Sequence, residues 1–268
     1  ASPTLRFVAI ALLLLGFASP ASAGVACLLV ADARTLDVIH EDGAGCDLAI
    51  GPASSFKLPL AVMGFDAGIL SDPAAPVWPY DASYGAVRRV DRQAHTPQSW
   101  MAESVLWYSR RLVHLLGADG FARYVTAFGY GNADVSGERG ANNGLTHSWL
   151  NTSLLITPRE QLSFVHRLIS GNLPVARSAI AKAMSVTPSF AAGEGWVING
   201  KTGTGYIRES NGKLGRRQYG WFIGWASAER RAPVVFAYLL VDDKAGLSGA
   251  GPRARDDLIA RWVELVGR

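Results

Sequence analysis

The chain has 268 residues, 49% of them apolar, with every aromatic type present, which is enough to build a sizeable core and argues against a disordered protein. Its formal net charge is only +4, and the basic residues are scattered along the chain and do not form an arm or a stripe. This favours a solvated, mildly basic surface over nucleic-acid binding.

The N-terminal segment is typical of an export signal. Arg6 precedes an apolar run over residues 7–18, which is followed by Pro20 and the small residues 21–23. This pattern predicts a signal peptide at residues 1–23, cleaved after Ala23. The apolar run of roughly 12 residues is shorter than the ~20 that a membrane-spanning helix needs. We therefore expect a domain over residues 24–268 that is periplasmic or secreted, without stable membrane anchoring.

The two cysteines, Cys27 and Cys46, lie just after the predicted cleavage site. An oxidising compartment favours a disulfide between them, and closing a loop of that size stabilises a fold by about 3 kcal/mol. Two buried free thiols are the alternative. The five histidines are isolated from one another and neither cysteine has a metal-ligand spacing, so no metal site is predicted.

The first part of the predicted domain combines two strands with a helix. Residues 25–31 and 36–40 are predicted to form short strands of a hairpin. Residues 55–67 have helical apolar spacing, and Pro59 is compatible with a helix that begins within the preceding turn. The proline-rich and polar stretch 71–99 is predicted to form an irregular segment on the surface.

The middle of the chain is rich in helical patterns, and its last third in strand patterns. Helices are predicted at 103–116, 119–128, 158–169 and 175–184. Strands are predicted at 195–201, 218–226 and 233–241, followed by an amphipathic helix at 253–266. These elements predict an α+β fold, in which strands from both ends of the chain form an antiparallel sheet flanked by helices, with a mostly helical second lobe. The cleft between sheet and lobe is the expected site.

Ser54 and Lys57 form the first candidate constellation. At a helix start, residues three apart share a face, so the serine hydroxyl and the lysine amine can meet. Serine needs an adjacent base to act as a nucleophile, and lysine becomes a base when burial lowers its pKa. Amides at the helix N-terminus can also stabilise an oxyanion near Ser54. The alternative is a helix cap with an exposed lysine.

Three further short motifs follow in order: Ser104 opening a predicted helix, Tyr130-Gly131-Asn132 after another, and Lys201-Thr202-Gly203 on a late strand. On an edge strand, Lys201 and Thr202 can bind a carboxylate along the wall of the cleft, and Gly203 permits close approach. Taken alone, Tyr-Gly-Asn is an ordinary turn and Ser104 an ordinary helical residue. Ser-x-x-Lys together with Lys-Thr-Gly is the signature of serine β-lactamases and penicillin-binding proteins.

With these motifs in this order, the chain resembles the class D β-lactamases, the oxacillinase family, over nearly the whole predicted domain. The Tyr-Gly-Asn motif distinguishes it from class A, where Ser-Asp-Asn would be expected. The resemblance implies hydrolysis of β-lactams through an acyl-enzyme on Ser54. It further implies that Lys57 is carbamylated by carbon dioxide to N6-carboxylysine and acts as the general base for acylation and deacylation. Carbon dioxide or bicarbonate would be needed to carbamylate Lys57, and no cofactor is expected.

The same resemblance implies roles for other residues. Trp149 would donate its indole proton to the carbamate, with core packing as the alternative. Ser104 would relay a proton toward the β-lactam nitrogen, and the amides of Ser54 and Thr204 would form the oxyanion hole. The substrate-binding residues would be Tyr130, Asn132, Lys201, Thr202, Gly203, Thr204 and Arg255.

Two positions stay open within this assignment. Arg253 is close enough to Arg255 to be the carboxylate-binding arginine instead, and either could be a solvated residue at a helix start. Leu106 stands where the family usually has a valine beside the modified lysine, so water access or carbamate stability could differ here. The expected partners are β-lactam small molecules, with no nucleic acid, and the sequence makes no prediction of the oligomeric state.

Two alternative functions compete with the β-lactamase interpretation. Residues 195–202 fit the phosphate-loop pattern Gly-x-x-x-x-Gly-Lys-Thr, which would indicate nucleotide binding. A phosphate loop follows a strand and opens a helix, whereas this pattern starts within a predicted strand and no helical pattern follows it. The context therefore argues against nucleotide binding. The stronger rival is a penicillin-binding receptor or transpeptidase that is acylated at the same serine and turns over slowly.

Overall fold

In the computed structural model, the described residues are 24–245, 247 and 249–267. The predicted signal peptide at 1–23 lies outside them. Six antiparallel strands form one sheet in the order β2-β1-β6-β5-β4-β3. Their bounds are β1 Gly24–Asp32, β2 Val38–Asp42, β3 Ser189–Ala191, β4 Val197–Arg208, β5 Leu214–Ser227 and β6 Val234–Val241. The predicted sheet built from both ends of the chain is confirmed.

Seven α-helices accompany the sheet among the described residues. They are α1 Lys57–Asp66, α2 Pro97–Glu103, α3 Leu106–Ala127, α4 Gly144–His147, α5 Pro158–Ile169, α6 Arg177–Ser185 and α7 Ala250–Val266. Helix α3 is interrupted at Gly117, which has φ 71° and ψ 166° and separates the two helices predicted there. None of the helices in the described part of the chain has the length and apolarity needed to span a bilayer.

The sheet is buried on both faces. Alternate residues of β1 point to opposite sides, so that Leu29 joins a large core with the helical lobe and Leu28 joins a smaller core beneath α7. Trp262 of α7 packs edge-on against Phe236 of β6 within that smaller core. Burial on both faces explains why β6 is apolar from end to end and lacks the alternation of a half-exposed strand.

The predicted disulfide is present. Cys27 of β1 is bonded to Cys46, with an S–S distance of 2.11 Å and a Cα–Cα distance of 4.9 Å. The bridge therefore attaches the loop after β2 to a central strand of the sheet.

Residues 71–99, predicted to form an irregular surface segment, are more ordered than their composition indicates. Trp78 and His95 are buried, and their backbones pair with each other. Helix α2 then begins at Pro97 and is capped by Thr96, whose hydroxyl accepts a hydrogen bond from the Ser99 amide at 3.1 Å. The pairing of Trp78 with His95 joins segments that are distant in sequence, and local composition does not encode it.

Candidate active site

Ser54 lies in a short 3-10 helix, Ala53–Phe56, that leads into α1. This turn is fixed from two sides. The Ala53 amide donates to the Trp149 carbonyl at 3.0 Å, and the indole of Trp221 on β5 donates to the Gly51 carbonyl at 2.9 Å. The nucleophile candidate is therefore attached to both the helical lobe and the sheet.

Lys57 is the first residue of α1, and its Nζ lies 3.3 Å from the Ser54 Oγ, as the spacing predicted. Only 2% of Lys57 is exposed. Burial holds the pKa of its amine well below the usual lysine value, and the charges of Lys201 and Arg88 lower it further. A lowered pKa favours the uncharged form of this amine, the form that can accept the serine proton.

The Lys201-Thr202-Gly203 motif lies on β4 where that strand becomes an edge. The short β3 pairs only with Val197–Asn199, so the next residues border the cleft. A Cβ added to Gly203 would lie 2.8 Å from both the Pro52 carbonyl oxygen and the Ser55 amide nitrogen. Glycine is therefore required for β4 to approach the turn at residues 53–56, here called the nucleophile turn, this closely.

Lys201 is the second buried lysine of the site, with 3% exposed. Burial, aided by the charges of Arg88 and Arg255, lowers its pKa to about 7. Its Nζ donates to the Thr202 carbonyl at 3.2 Å. This cation therefore changes its charge near neutral pH, in contrast to an exposed lysine.

Ser104 lines the same cleft as Ser54, but it does not begin a helix as predicted. It ends α2 in the left-handed conformation, with φ 59°, and α3 begins two residues later at Leu106. The non-helical break between α2 and α3 places the serine at the wall of the cleft.

The cleft has a volume of about 450 Å³, and its lining includes part of the predicted site, whereas Lys57, Trp149, Lys201 and Arg255 are not among the lining residues. Its lining includes Ser54, Ser104, Leu106, Thr202, Gly203 and Thr204 from the predicted site. It also includes residues that the sequence did not indicate: Tyr84, Gly85, Ala86, Val87, Arg88, Asp91, Trp107, Arg110 and Pro252.

Arg88 is the most consequential of the missed residues. Its guanidinium donates to both carboxylate oxygens of Asp91, at 2.8 and 2.5 Å, and to the Glu103 carbonyl at 2.7 Å. The loop over the cleft is thus tied to the residue before Ser104. Its charge also lowers the pKa of both buried lysines. The Arg88/Asp91 spacing of three residues was the available sequence signal, but alone it is a common surface pair.

Trp149 is buried and stacks on Phe56, the residue before Lys57, with ring centroids 5.7 Å apart and planes 19° from parallel. Phe121 of α3 meets the same indole edge-on at 6.2 Å. Trp149 therefore lies in the aromatic packing behind the nucleophile turn.

Tyr130 and Asn132, which the sequence predicts to bind substrate, make their hydrogen bonds to other parts of the protein. The Tyr130 hydroxyl is buried and donates to Gln161 at 3.1 Å, and Gln161 in turn donates to Ser55 at 3.1 Å. The Asn132 amide donates to the Ser153 carbonyl at 2.8 Å, and its oxygen accepts from the backbone. Neither residue is in the cleft lining. The Asn132 side chain organises the loop that carries Trp149, and the Tyr130 hydroxyl is linked through Gln161 to Ser55, the residue after Ser54.

The first turns of α7 distinguish the two arginine candidates. Arg253 binds both oxygens of the fully buried Asp242, at 2.8 and 2.7 Å. Arg255 lies over the ring of Phe190 at 5.2 Å, and its charge reaches Lys201, whose pKa it lowers. The Gly251 amide donates to the Thr204 hydroxyl at 2.9 Å, which fixes the start of α7 against β4. Arg255 is paired with the neighbouring Asp256 at 2.8 Å, which is largely exposed, whereas the aspartate that pairs with Arg253 is fully buried.

Comparison with known proteins adds independent findings to this geometry. Residues 43–259 match the penicillin binding protein transpeptidase domain. The chain is 41% identical to the β-lactamase OXA-9 of Klebsiella pneumoniae over 98% of this chain and 96% of that protein. It is 35% identical to the β-lactamase OXA-1 of Escherichia coli, over 83% and 79% of the two chains.

Solved structures agree with this similarity. The crystal structure of the OXA-427 class D β-lactamase superposes with a TM-score of 0.83 at 39% identity, covering 90% of this chain and 98% of the other. The C-terminal domain of the Bacillus licheniformis BlaR penicillin receptor superposes with a TM-score of 0.74 at 23% identity, over 88% and 87% of the two chains. At that identity the receptor shares only the fold.

Proposed function

The chain belongs to the class D serine β-lactamases, and we propose that it hydrolyses β-lactams through an acyl-enzyme on Ser54. The observation that carries this proposal is the pair of Ser54 and Lys57. A nucleophile lies 3.3 Å from a buried amine whose pKa is lowered, at the wall of a cleft large enough for a bicyclic antibiotic.

In the proposed reaction, the base at Lys57 takes the proton of the Ser54 hydroxyl as its oxygen attacks the lactam carbonyl. The backbone amides of Ser54 and Thr204 stabilise the oxyanion, which the close packing of β4 at Gly203 supports. Ser104, at the same cleft, relays a proton to the lactam nitrogen as the carbon–nitrogen bond breaks. Water then attacks the ester, which releases the ring-opened acid and restores the serine.

The carboxylate that penicillins and cephalosporins carry on the fused ring binds at the β4 end of the cleft. Thr202 lines that end and provides a hydroxyl, and the buried Lys201 and Arg255 of α7 add positive charge from behind the lining. This orients the lactam carbonyl toward Ser54, because the motif and the nucleophile turn are in contact at Gly203.

We also propose that Lys57 carries a carbamate, formed when its amine adds to carbon dioxide and loses a proton. The site fits this group, because only an uncharged amine adds to carbon dioxide and burial lowers the pKa of this amine, which favours its uncharged form. The carbamate supplies a base that can serve both acylation and deacylation. Trp149, packed behind the nucleophile turn, is its proposed hydrogen-bond donor.

A chromogenic cephalosporin tests the reaction directly. We expect continued turnover by the native chain and a loss of at least about a thousandfold in Ser54→Ala. Ser185→Ala, an exposed serine at the end of α6, is the matched control and keeps full activity. A single stoichiometric burst without further turnover would instead identify a slow penicillin-binding receptor, and Leu106 at the cleft would then be the first residue to exchange for valine.

Carbon-labelled bicarbonate tests the modification separately from catalysis. We expect a carbamate carbon signal in the native chain that is absent from Lys57→Ala, and activity that rises with added bicarbonate and falls at acidic pH. Activity that is insensitive to bicarbonate and retained in acid would contradict the carbamate.

Export to an oxidising compartment is the proposed location. The Cys27–Cys46 disulfide supports it, because such bonds persist outside the reducing cytosol. Mass measurement of the secreted chain is expected to show cleavage after Ala23 and an unchanged disulfide.

A further inference from the structure

A second cavity of about 350 Å³ adjoins the active-site cleft on the side of α3. Tyr84, Trp107 and Arg110 line both spaces, so the two are continuous through these residues. The remaining lining of the second cavity is Ser83, Arg111, His114 and Thr146. It therefore contains two arginines, a histidine and no acidic side chain.

Arg110 is the central feature of this cavity. It is half-buried, and burial lowers the pKa of its guanidinium, with no acidic side chain acting in the opposite direction. Within the described residues, no carboxylate lies within 4.0 Å of it, whereas Arg88 and Arg253 near the same cleft are each paired with an aspartate. A partly desolvated cation without a counter-charge is a costly arrangement that an anionic ligand would relieve.

The groups that do hold Arg110 are uncharged. Its Nε donates to the Thr146 carbonyl at 3.2 Å, and its Nη2 donates to the Nε2 of His147 at 3.3 Å. His147 can accept because burial and the Arg110 charge lower its pKa, which keeps the ring neutral. Its Nδ1–H then donates to the Thr146 hydroxyl at 2.8 Å, and that hydroxyl donates to the Asn143 carbonyl. Among the described residues, the Arg110 Nη1 has no acceptor.

The aromatic wall gives the cavity a second property. Tyr84 stacks on Trp107, with centroids 5.0 Å apart and planes 13° from parallel. Trp107 is held in turn by its indole, which donates to the Asp91 carbonyl at 2.8 Å. A flat, fixed aromatic pair next to a cation suits a chain that is apolar in its middle and anionic at its end.

We propose that this cavity is a subsite for β-lactams whose acyl side chain ends in an anionic group, with Arg110 as the residue that binds that group. The inference rests on the proposed function, because the ring carboxylate occupies the Lys201 end and the reacting carbonyl lies at Ser54. The part of the cleft that faces Tyr84, Trp107 and Arg110 is then the space left for the acyl side chain.

Adipoyl penicillin and its ω-carboxamide form the matched pair of probes. They differ only in the terminal charge, and both retain the ring carboxylate. We expect the native chain to bind the acid about tenfold more tightly, which is the usual scale for a charge-assisted hydrogen bond. In Arg110→Gln we expect that ratio to fall to about one, and Arg110→Lys to keep part of it.

Arg123→Gln is the matched control, because it removes an exposed arginine from the same helix outside both cavities and is expected to keep the native ratio. Raised ionic strength should reduce the ratio in the native chain. A native ratio of one, or a ratio that Arg110→Gln leaves unchanged, would overturn the proposal.

The same ratio measured as Kd by calorimetry on Ser54→Ala separates this inference from the proposed function. Binding there does not require turnover, so a retained preference for the acid supports the subsite even if the chromogenic assay shows no hydrolysis. Turnover of both probes with equal Kd values would leave the hydrolase proposal intact and remove the subsite.

Discussion

The two walls of the cleft differ in how closely they are packed and in how much of them is exposed. The inner wall, formed by the Ser54 turn, β4 and the start of α7, is closely packed and buries two lysines. The outer wall, formed by residues 84–91 and the first half of α3, is partly exposed and presents arginines and aromatic rings. Burial changes the protonation of a lysine, while partial exposure leaves an arginine charged. The inner wall is thus suited to reaction and the outer wall to selection.

The largest effect on kcat/KM is expected from a substitution that disrupts the packing of the inner wall. In Gly203→Ala, the new Cβ would meet the Pro52 carbonyl and the Ser55 amide at 2.8 Å, which forces β4 away from the nucleophile turn. We expect kcat/KM to fall by about a hundredfold, as for displacements near 1 Å at other active sites. Gly120→Ala in α3 is the control, since its Cβ meets nothing closer than 3.8 Å. Equal activity in both variants would contradict close packing as the requirement.

The next effect separates the two arginines of α7. Arg255→Gln is expected to raise KM about tenfold with little change in unfolding free energy, because a charge beside Lys201 is lost. Arg253→Gln leaves the fully buried Asp242 without its bidentate partner and is expected to lower the unfolding free energy by about 3 kcal/mol. Denaturant titration together with KM measures both. The reverse pattern would make Arg253 the carboxylate-binding residue.

A smaller effect concerns the charge of Lys201. With a pKa of about 7, its amine is positive below that pH and loses its charge above it. Binding of the ring carboxylate, and with it kcat/KM, should therefore decline on the alkaline side, by about fivefold between pH 7 and 8 for a single titrating group. Lys201→Arg keeps its charge over this range and should lack this limb. An identical alkaline limb in Lys201→Arg would assign the limb to another group.

The smallest effect links the outer wall to the inner wall. Arg88 lowers the pKa of both Lys57 and Lys201, so Arg88→Gln should move the acid and alkaline limbs of the pH profile upward together. The shift should be modest and should shrink with added salt, because the side chain of Arg88 is 52% exposed. Arg89→Gln, an exposed neighbour outside the cleft, should leave both limbs in place.

Much of the inner wall could be predicted because its signals are local. Ser54 and Lys57 meet because residues three apart share a face at a helix start. The placement of Lys201 to Gly203 on a strand follows from the apolar pattern around it, and the Cys27–Cys46 pairing from the presence of two cysteines in a chain that is predicted to be exported. Ser54 and Lys57 are close in sequence, and the two cysteines are the only ones in the chain, so each has a single possible disulfide partner within it.

The outer wall and the scaffold depended on contacts between distant segments. The cleft-lining position of Arg88, the free charge of Arg110 and the burial of Tyr130 behind the turn depend on how residues 71–99 and α3 fold back over the sheet. The choice of Arg255 over Arg253 likewise required Asp242 to be buried beside α7. The sequence by itself predicted the proximity of Ser54 and Lys57 and the fold class, and it favoured the disulfide. The tertiary structure alone decided which charges are buried, paired or left open, because desolvation and counter-charges come from residues far apart in the chain.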